Sequence, residues 1–308
     1  MADPNFFLVG APKCGTTSMA SWLRDHDNVF VPELKEPEYF NGDHKRRRRV
    51  SDRQYKQIFE PANPEIHLAI GEASVWYLYS KVAITRILEA YGNDVKFVVM
   101  LRNPLEMAIS LHRHKCYVNF EHIENFEEAW DAQDDRRAGR RITTDADASQ
   151  LVYGDACKVG EQLERLVSTV GRSNVLPILL EDVAKDPGGS YRKILAFLNV
   201  PDDGRADFRR LNGAKVPKNK LFHDAVQGAS KIKLKLGINY NFNLLRFNQK
   251  PAPRLILSPH LREQLKDYFR KDVHLLSSVL NRDVTDWVSD KTDAARDDQS
   301  NDSLSQRH

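Results

Sequence analysis

Gly10-Ala11-Pro12-Lys13-Cys14-Gly15-Thr16-Thr17-Ser18 is the stretch on which the fold turns. It follows Asn5 to Gly10, a short apolar run that reads as a buried strand. It precedes Ser18 to Asp25, which reads as a helix. Glycines permit a tight turn with backbone N–H groups pointing inward, and the following helix offers unpaired N–H groups and the positive end of its dipole. Thr16, Thr17 and Ser18 add hydroxyl donors. Together they make an anion cradle. The loop departs from the triphosphate pattern G-x-x-x-x-G-K-[ST] in one respect: Lys13 lies two residues before Gly15, and Thr16 stands at the usual lysine position. That departure argues against ATP or GTP hydrolysis. A strand-to-helix turn with no ligand carries similar glycines, so the loop alone leaves both readings open.

Outward from the loop, three more strand candidates follow: His67 to Gly71, Lys96 to Leu101 and Val175 to Leu180. Helical patterns fall between them at Lys81 to Tyr91, Leu105 to His114 and Gly160 to Val170, and Leu261 to Leu280 reads as a terminal helix. Apolar strands separated by amphipathic helices predict a parallel sheet covered on both faces. The expected fold class is α/β, a three-layer α/β/α arrangement with a central parallel sheet and a P-loop-like nucleotide-binding character. One domain is expected over residues 1–285, with a disordered polar tail over 286–308.

The strongest strand ends in Arg102, followed by Asn103-Pro104-Leu105-Glu106. Asn103 suits an N-cap, Pro104 the first helical position, and Glu106 a capping box. Arg102 therefore falls at a carboxyl strand end, where open α/β sheets bind ligands, with Ser110 eight residues on. Glu72, in Gly71-Glu72-Ala73-Ser74-Val75-Trp76-Tyr77, is expected just past another strand, facing the same cleft as Lys13. An N-cap or an ion pair with Lys13 is its other reading. His112 and His114 lie two apart and cannot share a helix face, and His67 precedes a strand; all three rank below Glu72 as bases. The basic run Lys45-Arg46-Arg47-Arg48-Arg49 attracts anions through its field but also suits a solvated loop.

Composition narrows the classes. The chain has 308 residues, 41% hydrophobic content and a formal net charge of +3, so global charge gives no case for nucleic-acid binding. Cys14, Cys116 and Cys157 are odd in number and lack metal-site spacing, which fits a reducing compartment. No window approaches the roughly 18 apolar residues of a membrane span, and no signal peptide is evident. A soluble, cytoplasmic protein with no membrane partner is expected.

Gly10 to Ser18 resembles the 5′-phosphosulfate loop of sulfotransferases that use 3′-phosphoadenosine 5′-phosphosulfate (PAPS) and release 3′-phosphoadenosine 5′-phosphate (PAP). The likeness is to the carbohydrate and heparan-sulfate branch, in a soluble bacterial-like form. It implies a donor loop running through Lys13, Cys14, Gly15, Thr16, Thr17 and Ser18. Lys13 would meet the bridging oxygen or sulfonate, and Gly15 to Ser18 the 5′-phosphate. Arg102 and Ser110 resemble the 3′-phosphate site, where arginine gives a charge-assisted, bidentate contact. The resemblance also points to Glu72 as general base. Lys35, in Lys35-Glu36-Pro37-Glu38-Tyr39-Phe40, would lie near the transferring sulfonate, although a solvated turn is an equal reading.

The likeness covers roughly residues 5 to 220 and continues through Val175 to Pro187 and Ile194 to Pro201. The segment around Asn212 to Asn219 stands where a basic loop closes over the nucleotide, making Lys215 and Lys218 candidates. Near Gln162-Leu163 the chain has Cys157-Lys158 where the family often has tyrosine. The implied reaction is in-line sulfonate transfer to a hydroxyl or amine of a small-molecule or saccharide acceptor, with no metal required. A P-loop kinase and a non-catalytic nucleotide-binding protein are the alternatives. The segments 43–64 and 116–149 are the variable, acceptor-side part, and the acceptor and oligomeric state stay open.

Overall fold

The computed structural model describes residues 2–45, 50–142, 147–209, 215–219, 221–223, 225–226, 248–251, 255 and 257–289. Its centre is dictated by Lys96–Leu101, of which five of six residues are buried. A strand apolar on both faces must be covered on both. In chain order the elements begin β1 (Phe6–Leu8), α1 (Thr16–Arg24), β2 (Val29–Phe30), α2 (Asp52–Gln57), β3 (Ala69–Ala73), α3 (Ala83–Tyr91), β4 (Lys96–Leu101) and α4 (Pro104–Tyr117). They continue α5 (Phe126–Asp131), α6 (Gln133–Arg137), α7 (Tyr153–Ala156), α8 (Val159–Val170), β5 (Val175–Leu179), α9 (Leu180–Lys185) and α10 (Pro187–Leu198). Last come β6 (Lys215–Pro217), β7 (Gln249–Pro251) and α11 (Pro259–Leu280).

The main sheet has the order β2-β3-β1-β4-β5 and is parallel throughout. The chain leaves β1 to build β2 and β3 on one side, then crosses to build β4 and β5 on the other. The switch point lies between β1 and β4, where ligands bind in such sheets. Pro177 is tolerated in β5 because, among the described residues, that strand sits at the edge, paired with β4 alone. β6 and β7 form a separate antiparallel pair.

Helices complete three layers. α1 packs with α10, while α8 packs with α3 and α11. Phe7 turns toward α3 and meets Tyr91, Phe97 and Phe40 at ring separations near 6 Å. The parallel sheet and flanking helices are as the sequence predicts, but two boundaries differ. β3 starts two residues later than expected and runs through Glu72, because Gly71, Glu72 and Ala73 pair with Phe6, Phe7 and Leu8. Residues 286–288, assigned by composition to the tail, belong to the 3-10 turn Thr285–Val288, and Val288 is buried. Residues 290–308 lie outside the described residues.

Candidate active site

The phosphate loop is fastened to β4 through its backbone. Val9 N–H donates to Val98 O at 3.0 Å and Ala11 N–H to Met100 O at 2.9 Å. Between them the chain passes so close to β4 that a Cβ on Gly10 would lie 1.9 Å from Met100 N. Only glycine fits. Gly15, at φ +85°, turns the chain into α1, whose first turn has no side-chain cap and no acidic residue. That helix start is therefore suited to an anion. Thr17 and Ser18 are partly exposed, and Thr16 is buried. Cys14 is the exception among the predicted loop contacts. Its side chain is fully buried against Pro12 O and Met107, and burial pushes its thiol up to about 12. Only its backbone is available to a ligand.

β4 delivers Arg102 to the same place. Its Nη1 donates to Lys13 O at 3.4 Å, while Nε and Nη2 donate to Glu106 Oε2 at 3.3 and 3.0 Å. Asn103 caps α4 by accepting from Leu105 N–H at 2.9 Å, with Pro104 in the first turn. These choices aim α4 so that Glu106 and Ser110, one turn apart, leave one face. Lys13 and Arg102, 89 positions apart, thus meet at one carboxyl edge, and Ser110 shares the α4 face of Glu106, which pairs with Arg102.

Glu72 does not meet the expectation set for it. It points from β3 into a closed box and is 1% exposed. Its Oε1 accepts from Tyr55 OH at 3.0 Å and Tyr77 OH at 2.8 Å, and its Oε2 from Ser74 Oγ at 2.7 Å. Burial raises its pKa to about 7, against the pull of the three hydroxyls. A carboxylate so enclosed presents nothing to a molecule in the cleft. The reason is register: lying inside β3 rather than beyond it, Glu72 shares the Phe7 face and its aromatic cluster.

What Glu72 does hold is the segment after Lys35. Ser74 Oγ accepts from Glu38 N–H at 3.0 Å, and Tyr77 OH accepts from Tyr39 and Phe40 N–H at 2.9 and 3.3 Å. Tyr39 stacks on Tyr55 at 4.3 Å. Tyr55 is carried by α2, whose start is fixed by a capping box between Ser51 and Gln54. A buried carboxylate, three hydroxyls and three backbone N–H groups therefore fix residues 38–40.

That fixation sustains an uncommon backbone. Lys13, Glu36 and Glu38 adopt φ of +68°, +56° and +47°. Apart from Arg141, the other non-glycine residues so placed among those described are asparagines, which tolerate this region. Lysine and glutamate pay roughly 1–2 kcal/mol each there, and such residues cluster at functional sites. Glu36 N–H bonds Ala73 O at 3.0 Å, at the carboxyl end of β3. Its half-buried carboxylate pairs with Lys35 Nζ at 3.1 Å, and Lys35 Nζ in turn donates to Thr17 Oγ1. Lys35 therefore bridges the phosphate loop and Glu36. Glu36 is a site residue that sequence reasoning passed over.

The cleft is rich in positive charge. Lys13 has a lowered pKa, first from burial and then from the charges of Lys35 and Arg102, with Glu36 opposing. His114 is solvent-accessible but set deep among protein atoms; desolvation, Lys13, Lys115 and Lys35 lower it to about 3, so it is neutral at pH 7. Lys115 is buried against Trp76 and hydrogen-bonded to Gln150; burial lowers it to about 8. His112 points elsewhere, buried with Nε2 2.8 Å from Ile123 O. It lines a cavity of about 770 Å³ with Cys116, Tyr117 and Phe126, whose lining includes neither Lys13 nor Arg102. His67 bonds Asn63 N–H on the loop before β3, away from the carboxyl edge.

The remaining predicted residues are less informative. Lys218 is exposed, with its N–H bonded to Asn248 O at 3.1 Å. Lys215 opens β6, and its side chain lies outside the described residues, as do Arg46 to Arg49 of the basic run. Among the described residues, no group of three or more His, Cys, Asp or Glu is placed to hold a metal ion. No helix among them is long and apolar enough to cross a membrane.

Comparison with known proteins gives the family. Residues 3–212 match the family described as sulfotransferase domain. Carbohydrate sulfotransferase 15 of Mus musculus is 28% identical over a stretch covering 35% of this chain and 26% of that protein. The membrane-associated sulfotransferase kil1 of Dictyostelium discoideum is also 28% identical, over 35% of this chain and 22% of its own. The chain thus spans about a quarter of the length of these curated relatives. A sulfotransferase structure from Alicyclobacillus acidocaldarius superposes with a TM-score of 0.69 at 26% identity, covering 94% of this chain and 100% of that one. With residues 3–212 matched, well over half its length, the chain belongs to the sulfotransferase-domain family.

Proposed function

We propose that this protein transfers a sulfonate group from PAPS to a hydroxyl or amine of a small-molecule or saccharide acceptor. The observation that carries the reading is the joining of Arg102 to Lys13 O across the β1–β4 switch point. One arginine thereby fixes the loop that would hold the 5′-phosphosulfate and offers charge to the 3′-phosphate.

In the transfer, the bond between sulfur and the bridging phosphate oxygen breaks, and a bond from sulfur to the acceptor oxygen or nitrogen forms. The bonding pair stays with the phosphate oxygen, and PAP leaves. Lys13, with the start of α1, would stabilise the charge that grows there. Lys35, tied to Thr17, would bear on the sulfonate oxygens. The acceptor proton must go to a base beside that point. We assign the base to Glu36, whose carboxylate is partly exposed and adjoins Lys35. Glu72 then acts through others, as the positioning residue that holds segment 38–40. His114 is the weaker base, because an imidazole with a pKa near 3 has little proton affinity at pH 7. It is suited to hydrogen bonding with the acceptor.

The test is transfer of radiolabelled sulfonate from PAPS across a panel of saccharides, phenols and amines. Transfer to at least one class, lost in Lys13→Ala, is the expected result. Binding of PAP without transfer to any class would turn the reading toward a non-catalytic nucleotide-binding protein. Phosphoryl transfer from ATP would turn it toward a kinase.

A further inference from the structure

The guanidinium of Arg102 is contested. The edge formed by Nε and Nη2, which suits a bidentate oxyanion, is directed at Glu106 Oε2. Glu106 lies four residues before Ser110 on α4, so both side chains leave the same helix face. Arg102, Glu106 and Ser110 therefore bound one patch, and the carboxylate takes the donors that a 3′-phosphate would take. A second carboxylate stands nearby. Glu181 lies in the first turn of α9, just after β5, interacts electrostatically with both Glu106 and Arg102, and has a buried Oε2 with no hydrogen-bond partner. One carboxylate thus pairs with the guanidinium, and a second bears on it electrostatically, at a place where a dianion is expected to bind.

We propose that Glu106 is an internal competitor for the nucleotide 3′-phosphate: it holds PAP affinity down and takes Arg102 back as the product leaves. This rests on reading Arg102 as the 3′-phosphate residue. A phosphate wins the contest because it carries up to two charges and three acceptor oxygens against one charge on Glu106. Its binding is nevertheless weakened by whatever the Arg102–Glu106 pair is worth. The pair is partly exposed, with side chains 23% and 38% accessible, so that penalty is modest. It matters because product release limits turnover in many enzymes. A nucleotide with no 3′-phosphate leaves the pair intact and should be indifferent to it.

The experiment measures PAP and AMP affinity by calorimetry, and PAP dissociation by competition, on wild type, Glu106→Gln, Glu106→Asp and Arg102→Ala at one low salt concentration. Gln keeps the length and helix preference of Glu. E106Q is expected to bind PAP roughly two- to fivefold more tightly, the range set by a partly exposed pair. It should release PAP more slowly by a similar factor, with AMP unchanged. E106D, too short to reach Arg102, should follow E106Q; wild-type behaviour there would overturn direct pairing. PAP binding lost in R102A but equal or weaker in E106Q would overturn this inference while keeping the donor site. Failure of wild type to prefer PAP over AMP would overturn the donor-site reading itself.

Discussion

The two halves of the cleft are built in different ways. On the nucleotide side, backbone does the positioning. Gly10 is pressed against β4, Ala11 joins the β4 ladder, Gly15 turns into α1, and Arg102 simply ends a strand. On the acceptor side, side chains do it. A buried glutamate, two tyrosines and a serine pin the segment carrying Glu36 and Glu38 in left-handed conformations. The first kind of construction joins the loop to residues 89 positions away through main-chain contacts. The second joins residues up to 38 positions apart and depends on hydroxyls keeping their partners.

Substitutions can break that contrast, and the largest effect is expected on the backbone side. Gly10→Ala drives a methyl into the β4 main chain, which cannot yield, and should cost more than about 4 kcal/mol. Denaturant melts would register this as loss of the folded protein rather than of activity alone. Next comes Glu36→Gln, which should lower kcat by about 10²–10⁴ while leaving PAP affinity intact. Lys13→Ala should lower kcat by roughly 10²–10³. Steady-state kinetics with an acceptor found in the panel would rank the two.

Glu72→Gln sharpens the comparison, because a positioning residue and a base leave different marks. As a positioning residue, its loss should cost kcat about tenfold, the smaller effect, through a loosened segment 38–40. It should also change the pH dependence of stability. Burial holds the carboxyl near 7 in the folded state, against an ordinary value of 4.5. The folded chain therefore keeps the proton more tightly, so stability falls as pH rises from about 4.5 to 7 and is level above. The fall due to Glu72 is on the order of 3 kcal/mol. E72Q, which imitates the protonated form, should flatten that part of the curve. Asp272, raised to about 6 by burial, gives a parallel slope that should persist. The smallest effect belongs to His67→Ala, at the opposite end of β3, with kcat unchanged. A kcat loss there as large as in E36Q would undo the placement of the acceptor side.

The same contrast explains what the sequence made legible. The loop, its glycines and Arg102 could be read because apolar runs, turn residues and caps are local signals. The β3 boundary slipped by two residues because Gly71 looked like a strand end, when its hydrogen that replaces a side chain lets β3 lie close to Phe6. That slip turned an enclosed carboxylate into an apparent cleft residue. Glu36 gave no periodic or capping signal; the resemblance marked its segment, but through Lys35. Its role follows from a left-handed backbone, an anchor to Ala73 and a lysine tied to Thr17, and none of these has a periodicity.

The most direct test of the donor site is calorimetric binding of PAP, with AMP and ATP as controls, to wild type and Arg102→Ala. Micromolar PAP binding is expected, much tighter than AMP, and weakened at least tenfold to a hundredfold in R102A, as loss of charge-assisted hydrogen bonds requires. Tight ATP binding with indifference to PAP, or PAP binding that survives R102A unchanged, would contradict it.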